Sequence, residues 1–186
     1  MTRMTRELKE QIPTKLLWVD LEMTGLDVNK DVILEVAAEI TDFEFNTIAS
    51  YQACIKRSTE ELGRMSDWSM EHHSSSGLIE RIKTSGREES AVQHELVGFI
   101  SAQFGSEAAI LSGNSIHNDR NFIRHWWPEV DALLHYRMLD VSSFKIIMQA
   151  KYGIFFEKKE VHRAFDDIQA SIAEFQYYLD WFKGNV

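Results

Sequence analysis

Cysteine is nearly absent from this chain, with Cys54 alone among 186 residues. An intrachain disulfide is therefore impossible, and a thiolate zinc site has no cysteine cluster to draw on. Proline and glycine are also sparse, at two and nine residues against 44% apolar content, which argues against a disordered or low-complexity chain. No apolar run approaches the roughly 20 residues of a membrane-spanning helix. Residues 1–14 lack the apolar core of a secretory signal and read as a short polar tail before a domain over residues 15–183. Together these absences point to a reducing compartment, the cytoplasm, and to no membrane partner. Basic charge is scarce too, the formal net charge being −9. A protein that grips long nucleic acid by neutralising many phosphates needs a basic surface. An acidic chain favours a short substrate held locally.

What is present reads as one α/β domain. Residues 15–22, Val32 to Phe43 and Ile48 to Ile55 are apolar-rich runs separated by turn signals at Thr24-Gly25, Asn29-Lys30-Asp31 and Asn46. Such short turns predict three antiparallel strands. Two short helices are expected over 66–84, broken near Ser74 to Gly77, and a longer one over Glu88 to Phe104. Ala109 to Ser112 reads as a short buried strand, followed by a helix at about 118–126. Arg137 to Val141 reads as a fifth strand and Ser142 to Tyr152 as a helix. Ile168, Ile172, Phe175, Leu179 and Phe182 recur at alternating spacings of four and three, one face of a long last helix. A three-strand meander followed by alternating strands and helices predicts a mixed five-stranded sheet flanked by helices.

Asp20 and Glu22 stand two apart at the end of the first strand, after Leu16-Leu17-Trp18-Val19. Extended chain puts them on one face. Two adjacent carboxylates resist burial together, so they either run out into solvent as surface acids or hold a hard cation such as Mg²⁺ or Mn²⁺. Asp119 falls in the first turn of the helix after the Ser112-Gly113-Asn114-Ser115 turn. An acid there is ordinary helix-start electrostatics or a further ligand. His162-Arg163-Ala164-Phe165-Asp166-Asp167 opens the last helix. His162 is either a surface histidine or a general base working near neutral pH. Asp167 borders the apolar stripe at Ala164 and Ile168 and is expected to face inward, whereas Asp166 is placed to orient His162.

In this order, Asp-x-Glu, a later Asp and His-x₄-Asp resemble the DEDDh 3′–5′ exonucleases, whose fold is ribonuclease H-like. Four blocks are similar to the oligoribonuclease family within them. These are Trp18-Val19-Asp20-Leu21-Glu22-Met23-Thr24-Gly25-Leu26, Gly113-Asn114-Ser115, His135 to Ser142, and His162 to Ile168. The resemblance implies that Asp20, Glu22, Asp119 and Asp167 hold two divalent cations, Mg²⁺ or Mn²⁺, and that His162 is the general base for the attacking water. Two such cations clamp a phosphate in an in-line displacement. It further implies that Leu26 wedges between bases and Trp68 packs against one, although without the family Trp68 would read as a core aromatic. Stacking tolerates any sequence. Ser115, Arg137, Ser142 and Ser143 match positions that cap the 5′ phosphate of a dinucleotide. Tyr136 matches a tyrosine that reaches the partner subunit's active site in a homodimer, and Arg137 would act across the same interface.

The departures remove no catalytic group. Phe165 stands where many members carry leucine, His117-Asn118 precede Asp119, and Ser143 replaces a frequent threonine while keeping the hydroxyl. Lys158-Lys159 reads as a solvated pair, the aromatic-rich run Phe122 to Trp127 as core. The expected activity is removal of nucleotides from the 3′ end of short single-stranded RNA, dinucleotides above all, releasing nucleoside 5′-monophosphates. Two other readings stand beside it: a DEDDh exonuclease acting on longer DNA or RNA, and a non-catalytic RNA-binding module that kept the fold.

Overall fold

The computed structural model describes residues 13–85, 87–157 and 164–185. Its centre is a five-stranded sheet in the order β3-β2-β1-β4-β5. Strand β1 (Leu16–Met23) is the middle strand, and Leu16, Leu17, Trp18 and Val19 are all buried because helices cover both faces. It pairs antiparallel with β2 (Ile33–Thr41), which pairs antiparallel with β3 (Thr47–Cys54). This is the expected meander. On the other side β4 (Ala109–Gly113) and β5 (Leu134–Asp140) run parallel to β1, the strands being joined by helical crossovers as parallel pairing requires.

Helices α1 (Thr59–Leu62), α2 (Asp67–Ser75), α3 (Leu78–Ser85) and α4 (Glu89–Phe104) lie between β3 and β4. Helices α5 (His117–Trp126) and α6 (Pro128–Asp131) lie between β4 and β5. The last part comprises α7 (Val141–Ile147) with a π-helical turn over Met148–Tyr152, then α8 (Ala164–Asn185). One core packs Leu17, Val19, Leu21 and Ile33 against Leu96 and Ile100 of α4 and Phe122, Ile123 and Trp127. A second packs Leu16 and Trp18 against Ile168, Ile172 and Phe175, the stripe foreseen on the last helix. A third, smaller core sits under α1 to α3. Among the described residues no helix is long and apolar enough to cross a membrane.

The structure departs from the sequence expectations at boundaries. β2 ends at Thr41 because the Asp42 carboxylate accepts the N–H groups of Glu44 and Asn46 at 3.0 and 2.8 Å and closes a turn. β5 starts at Leu134 rather than Arg137. The helix expected over 142–152 is α-helical only to Ile147, then widens into the π-turn and stops at Gly153, where φ is +67°. α1 and α6 were not foreseen; α6 begins on Pro128, whose missing N–H costs nothing in a first turn.

Candidate active site

Because β1, β4 and β5 are parallel, their carboxyl ends share one edge of the sheet, the usual location of a ligand crevice in α/β folds. β1 pairs with β4 only at Leu17–Leu111 and Trp18–Ser112. Farther along, the Leu21 N–H leaves the ladder and donates to Asp119 Oδ1 at 2.9 Å. Gly113, the last residue of β4, packs tightly against β1 and Ile116. A Cβ there would lie 2.9 Å from Ile116 Cδ1 and 3.0 Å from the Val19 carbonyl oxygen, so the turn that delivers Asn114 and Ser115 needs glycine.

Three carboxylates meet at this edge. Asp20 and Glu22 come from β1 and Asp167 from the first turn of α8, and one oxygen from each lies within 4.8 Å of the others. The inward-facing choice of Asp167 in the sequence is the one the fold makes. Asp119, from the first turn of α5, is buried and tied to the β1 backbone between Asp20 and Glu22. The group is electrostatically frustrated. Burial, with repulsion from Glu35, Asp167 and Asp119, raises the Glu22 pKa from 4.5 to about 7, against a smaller pull from Arg81. Burial likewise raises Asp119 from 3.8 to about 7, opposed by the Leu21 N–H. A concentration of hard oxygen donors that repel one another fits divalent cations such as Mg²⁺ or Mn²⁺.

Residues behind the cluster were not singled out from the sequence. Glu35 faces Glu22 across the β1–β2 ladder and is only 1% exposed. Arg81 of α3 donates to both its oxygens at 3.0 Å, and Gln52 donates at 3.1 Å. His73 of α2 has Nδ1 3.8 Å from Glu22 Oε2 and Nε2 3.0 Å from the Met23 carbonyl oxygen. Burial lowers its pKa, while the bond to Met23 opposes that effect. The available signal was an acid flanked by apolar residues in Ile33-Leu34-Glu35-Val36.

A second polar group forms where β4 and β5 end. Asp140 caps α7, accepting the Ser142 N–H at 2.9 Å, and with the same oxygen accepts the Ser115 N–H at 3.0 Å. Ser142 Oγ also accepts the Ser115 N–H at 2.9 Å and lies 3.1 Å from Ser115 Oγ. Ser115 has φ +49°, a left-handed conformation costly for a residue with a Cβ, and these bonds hold it there. Ser143 is exposed on the next residue of α7. Asp140 was part of the quoted motif, but its capping role is visible only once α7 starts at Val141.

Among the described residues the three most exposed large apolar side chains are Leu26 at 72% exposure, Trp68 at 71% and Tyr136 at 70%. Trp68 is thus not core. It stacks on His72, one turn along α2, with ring centroids 4.9 Å apart. Leu26, with Asp27 and Val28, borders an open groove of about 740 Å³ whose far wall is Asn121, Arg124 and His125 of α5 and whose lining includes none of Asp20, Glu22, Asp119 and Asp167. Tyr136 lies on the edge strand β5, with the Arg137 guanidinium 5.1 Å from its ring centre. His162, Lys158 and Lys159 fall outside the described residues, as does most of the N-terminal tail.

The family model described as an exonuclease matches residues 17–175. The oligoribonuclease of Francisella tularensis subsp. novicida is 42% identical over 170 residues, covering 90% of this chain and 96% of that protein. The oligoribonuclease of Serratia proteamaculans is 39% identical over 171 residues, covering 90% and 94%. Among solved structures, exonuclease I is similar at a TM-score of 0.65 with 17% identity, a likeness of fold. The alignment covers 89% of this chain but only 43% of the exonuclease I chain, so this chain spans less than half of that protein. Exonuclease I of E. coli in complex with an oligonucleotide gives a TM-score of 0.62 at 16% identity, with 91% and 43% covered.

Proposed function

The chain belongs to the oligoribonucleases of the exonuclease family, and from that premise we propose that it hydrolyses short single-stranded RNA from the 3′ end, dinucleotides above all, to nucleoside 5′-monophosphates. The observation that carries this reading is the placement of the carboxylates Asp20, Glu22 and Asp167 at the same sheet edge as the Ser115–Ser142 pair. One end of that crevice is suited to cations, the other to a terminal phosphate.

In this reading Asp20, Glu22, Asp119 and Asp167 hold two divalent cations, Mg²⁺ or Mn²⁺. Cations held by these four carboxylates would supply activation of a water molecule and neutralisation of charge at the scissile phosphate. His162, two residues before α8, takes the proton from the attacking water. An imidazole is the side chain whose chemistry suits that task near neutrality. Leu26 separates the two bases and Trp68 stacks on one. Both are exposed apolar groups in the free chain, which is what a base-binding surface requires. Ser115, Ser142, Ser143 and Arg137 bind the 5′ phosphate, hydroxyls and a guanidinium being suitable donors. Tyr136 and Arg137 act from the exposed edge strand across a homodimer interface. The single buried Cys54 suits a cytoplasmic setting.

The test is a length series from two to seven nucleotides with Mn²⁺ and a chelator control. The proposal expects dinucleotide to be cleaved fastest and chelator to stop mononucleotide release. Equal or faster cleavage of the seven-nucleotide RNA would overturn the length limit. Mononucleotide release that survives chelation would overturn the two-cation assignment. A His162→Ala protein with undiminished kcat would remove His162 from its role.

A further inference from the structure

Asn114 stands between the Ser115–Ser142 pair and helix α8, and its side-chain amide is engaged at both ends. Oδ1 accepts from Ser142 Oγ at 3.2 Å. Nδ2 donates to Ser171 Oγ at 3.0 Å and to Glu174 Oε2 at 3.1 Å. The opposite amide orientation would set its oxygen against the Glu174 carboxylate, so the chemistry fixes which end faces which. Ser171 and Glu174 belong to α8, the helix that brings Asp167 to the carboxylate cluster, and Ser171 Oγ itself donates to the Asp167 carbonyl at 2.8 Å. Glu174 is 1% exposed and accepts the Tyr178 hydroxyl at 2.7 Å, with Lys145 Nζ 3.7 Å away. A continuous chain of hydrogen bonds therefore runs from the Asp167 backbone through Ser171 and Asn114 to Ser142 and on to Ser115.

We propose that Asn114 is a positioning residue: its amide locks the Ser115–Ser142 pair to the helix that carries Asp167, and thereby sets how strongly the protein prefers a dinucleotide bearing a 5′ phosphate. This rests on the reading of Ser115 and Ser142 as the 5′-phosphate cap. The argument is one of restraint. A serine hydroxyl has one hydrogen and three staggered positions. Ser142 Oγ is confined to one of them by the Asn114 oxygen on one side and the Ser115 N–H on the other. Removing the amide takes away one of the two restraints on Ser142 Oγ and breaks the link from that serine to Ser171 and Glu174, while Glu174 keeps the Tyr178 hydroxyl. The carboxylate cluster keeps its own attachments through β1 and α8, so the effect falls on phosphate recognition rather than on the chemical step.

The experiment compares kcat and KM for the dinucleotides pApA, with a 5′ phosphate, and ApA, with a 5′ hydroxyl, in the intact protein and in Asn114→Ala. The ratio of the two kcat/KM values is internal to each preparation, so a loss of active protein cancels. Asn114→Ala is expected to lower the ratio about tenfold through KM for pApA, the scale of a hydrogen bond to a charged group, and to leave kcat on ApA within about twofold. Ser171→Ala, which removes one of the two acceptors and keeps the amide, is expected to lower the ratio about threefold. It decides the matter if Asn114→Ala does not fold. An unchanged ratio in the variants, or equal loss on both substrates, overturns the positioning role while the cap reading stands. A ratio near one in the unaltered protein overturns the cap reading itself, and this inference with it.

Discussion

Stripping divalent cations from the protein should make its stability fall as pH rises, the opposite of the usual carboxylate behaviour. Glu22 and Asp119 both have pKa values raised to about 7 in the folded chain, from 4.5 and 3.8. Above pH 7 both acids are charged in folded and unfolded states, and the folded state bears the repulsion and the burial. Below pH 7 the folded state takes up protons that the unfolded state, with ordinary pKa values, does not. Stability therefore rises as pH falls through 7 and levels off near the unfolded values. Between pH 8 and pH 6 each acid contributes about 1.3 kcal/mol on this basis. Because the two interact they titrate as a set, giving about 2 kcal/mol together. His73 works against them: burial lowers its pKa, so acid favours the unfolded chain through this group. The other groups acting on Glu22, namely Glu35 on β2, Asp167 on α8 and Arg81 on α3, are part of the environment that raises or lowers its pKa.

The net gain, about 1–2 kcal/mol, corresponds to a rise of roughly 2–8 °C in melting temperature for a domain of this size. The assay is thermal unfolding in excess chelator at pH 8 and pH 6, repeated with saturating Mn²⁺. Mn²⁺ should raise the melting temperature most at pH 8, where the carboxylates are free of protons. Glu22→Gln should raise the melting temperature of the stripped protein at pH 8 and remove about half of the pH response. A stripped protein whose melting temperature is flat, or falls from pH 8 to pH 6, would refute the frustrated-carboxylate account.

Three further outcomes follow from the same geometry. Arg81→Met leaves the buried Glu35 carboxylate without its guanidinium and should destabilise the protein by about 2–3 kcal/mol, discounted for the half-exposed arginine, in denaturant unfolding; the loss should shrink when Glu35→Gln is added. Trp68→Ala should leave the melting temperature nearly unchanged, since the ring is exposed, and should raise KM for dinucleotide by a factor of about 5–150, the range for one base–aromatic stack. Gly113→Ala should lower stability by about 1–3 kcal/mol, because its Cβ meets the Val19 carbonyl and the Ile116 side chain at 3.0 Å or less.

The elements most legible in the sequence were those whose signal is periodic and local. Asp20 and Glu22 share a face because alternation in a strand demands it, and β1 is a strand because Leu16 to Val19 is an apolar run buried on both sides. The inward face of α8 follows from Ile168, Ile172 and Phe175, and it carries Asp167 to the cluster. Boundaries were less legible where a side chain rather than a propensity ends the element, as Asp42 does for β2 and Asp140 does at the start of α7. Trp68 shows the limit of composition: an aromatic reads as core until the fold leaves it in solvent beside His72.

The sequence by itself determined the chemical types present, the carboxylates, the histidine and the serines, and the periodic faces on which several of them ride. It also determined, through the family resemblance, what such a set does. Only the tertiary structure decided which groups press on one another. Glu35 and Glu22 are thirteen residues apart in sequence and opposite each other in the ladder; Asn114, Ser142 and Ser171 come from three different elements. Strand register and helix docking bring these groups within hydrogen-bond range, and both are set by burial of whole apolar faces, which no local pattern encodes. The pKa values of the acids and the restraint on the serines are consequences of that packing.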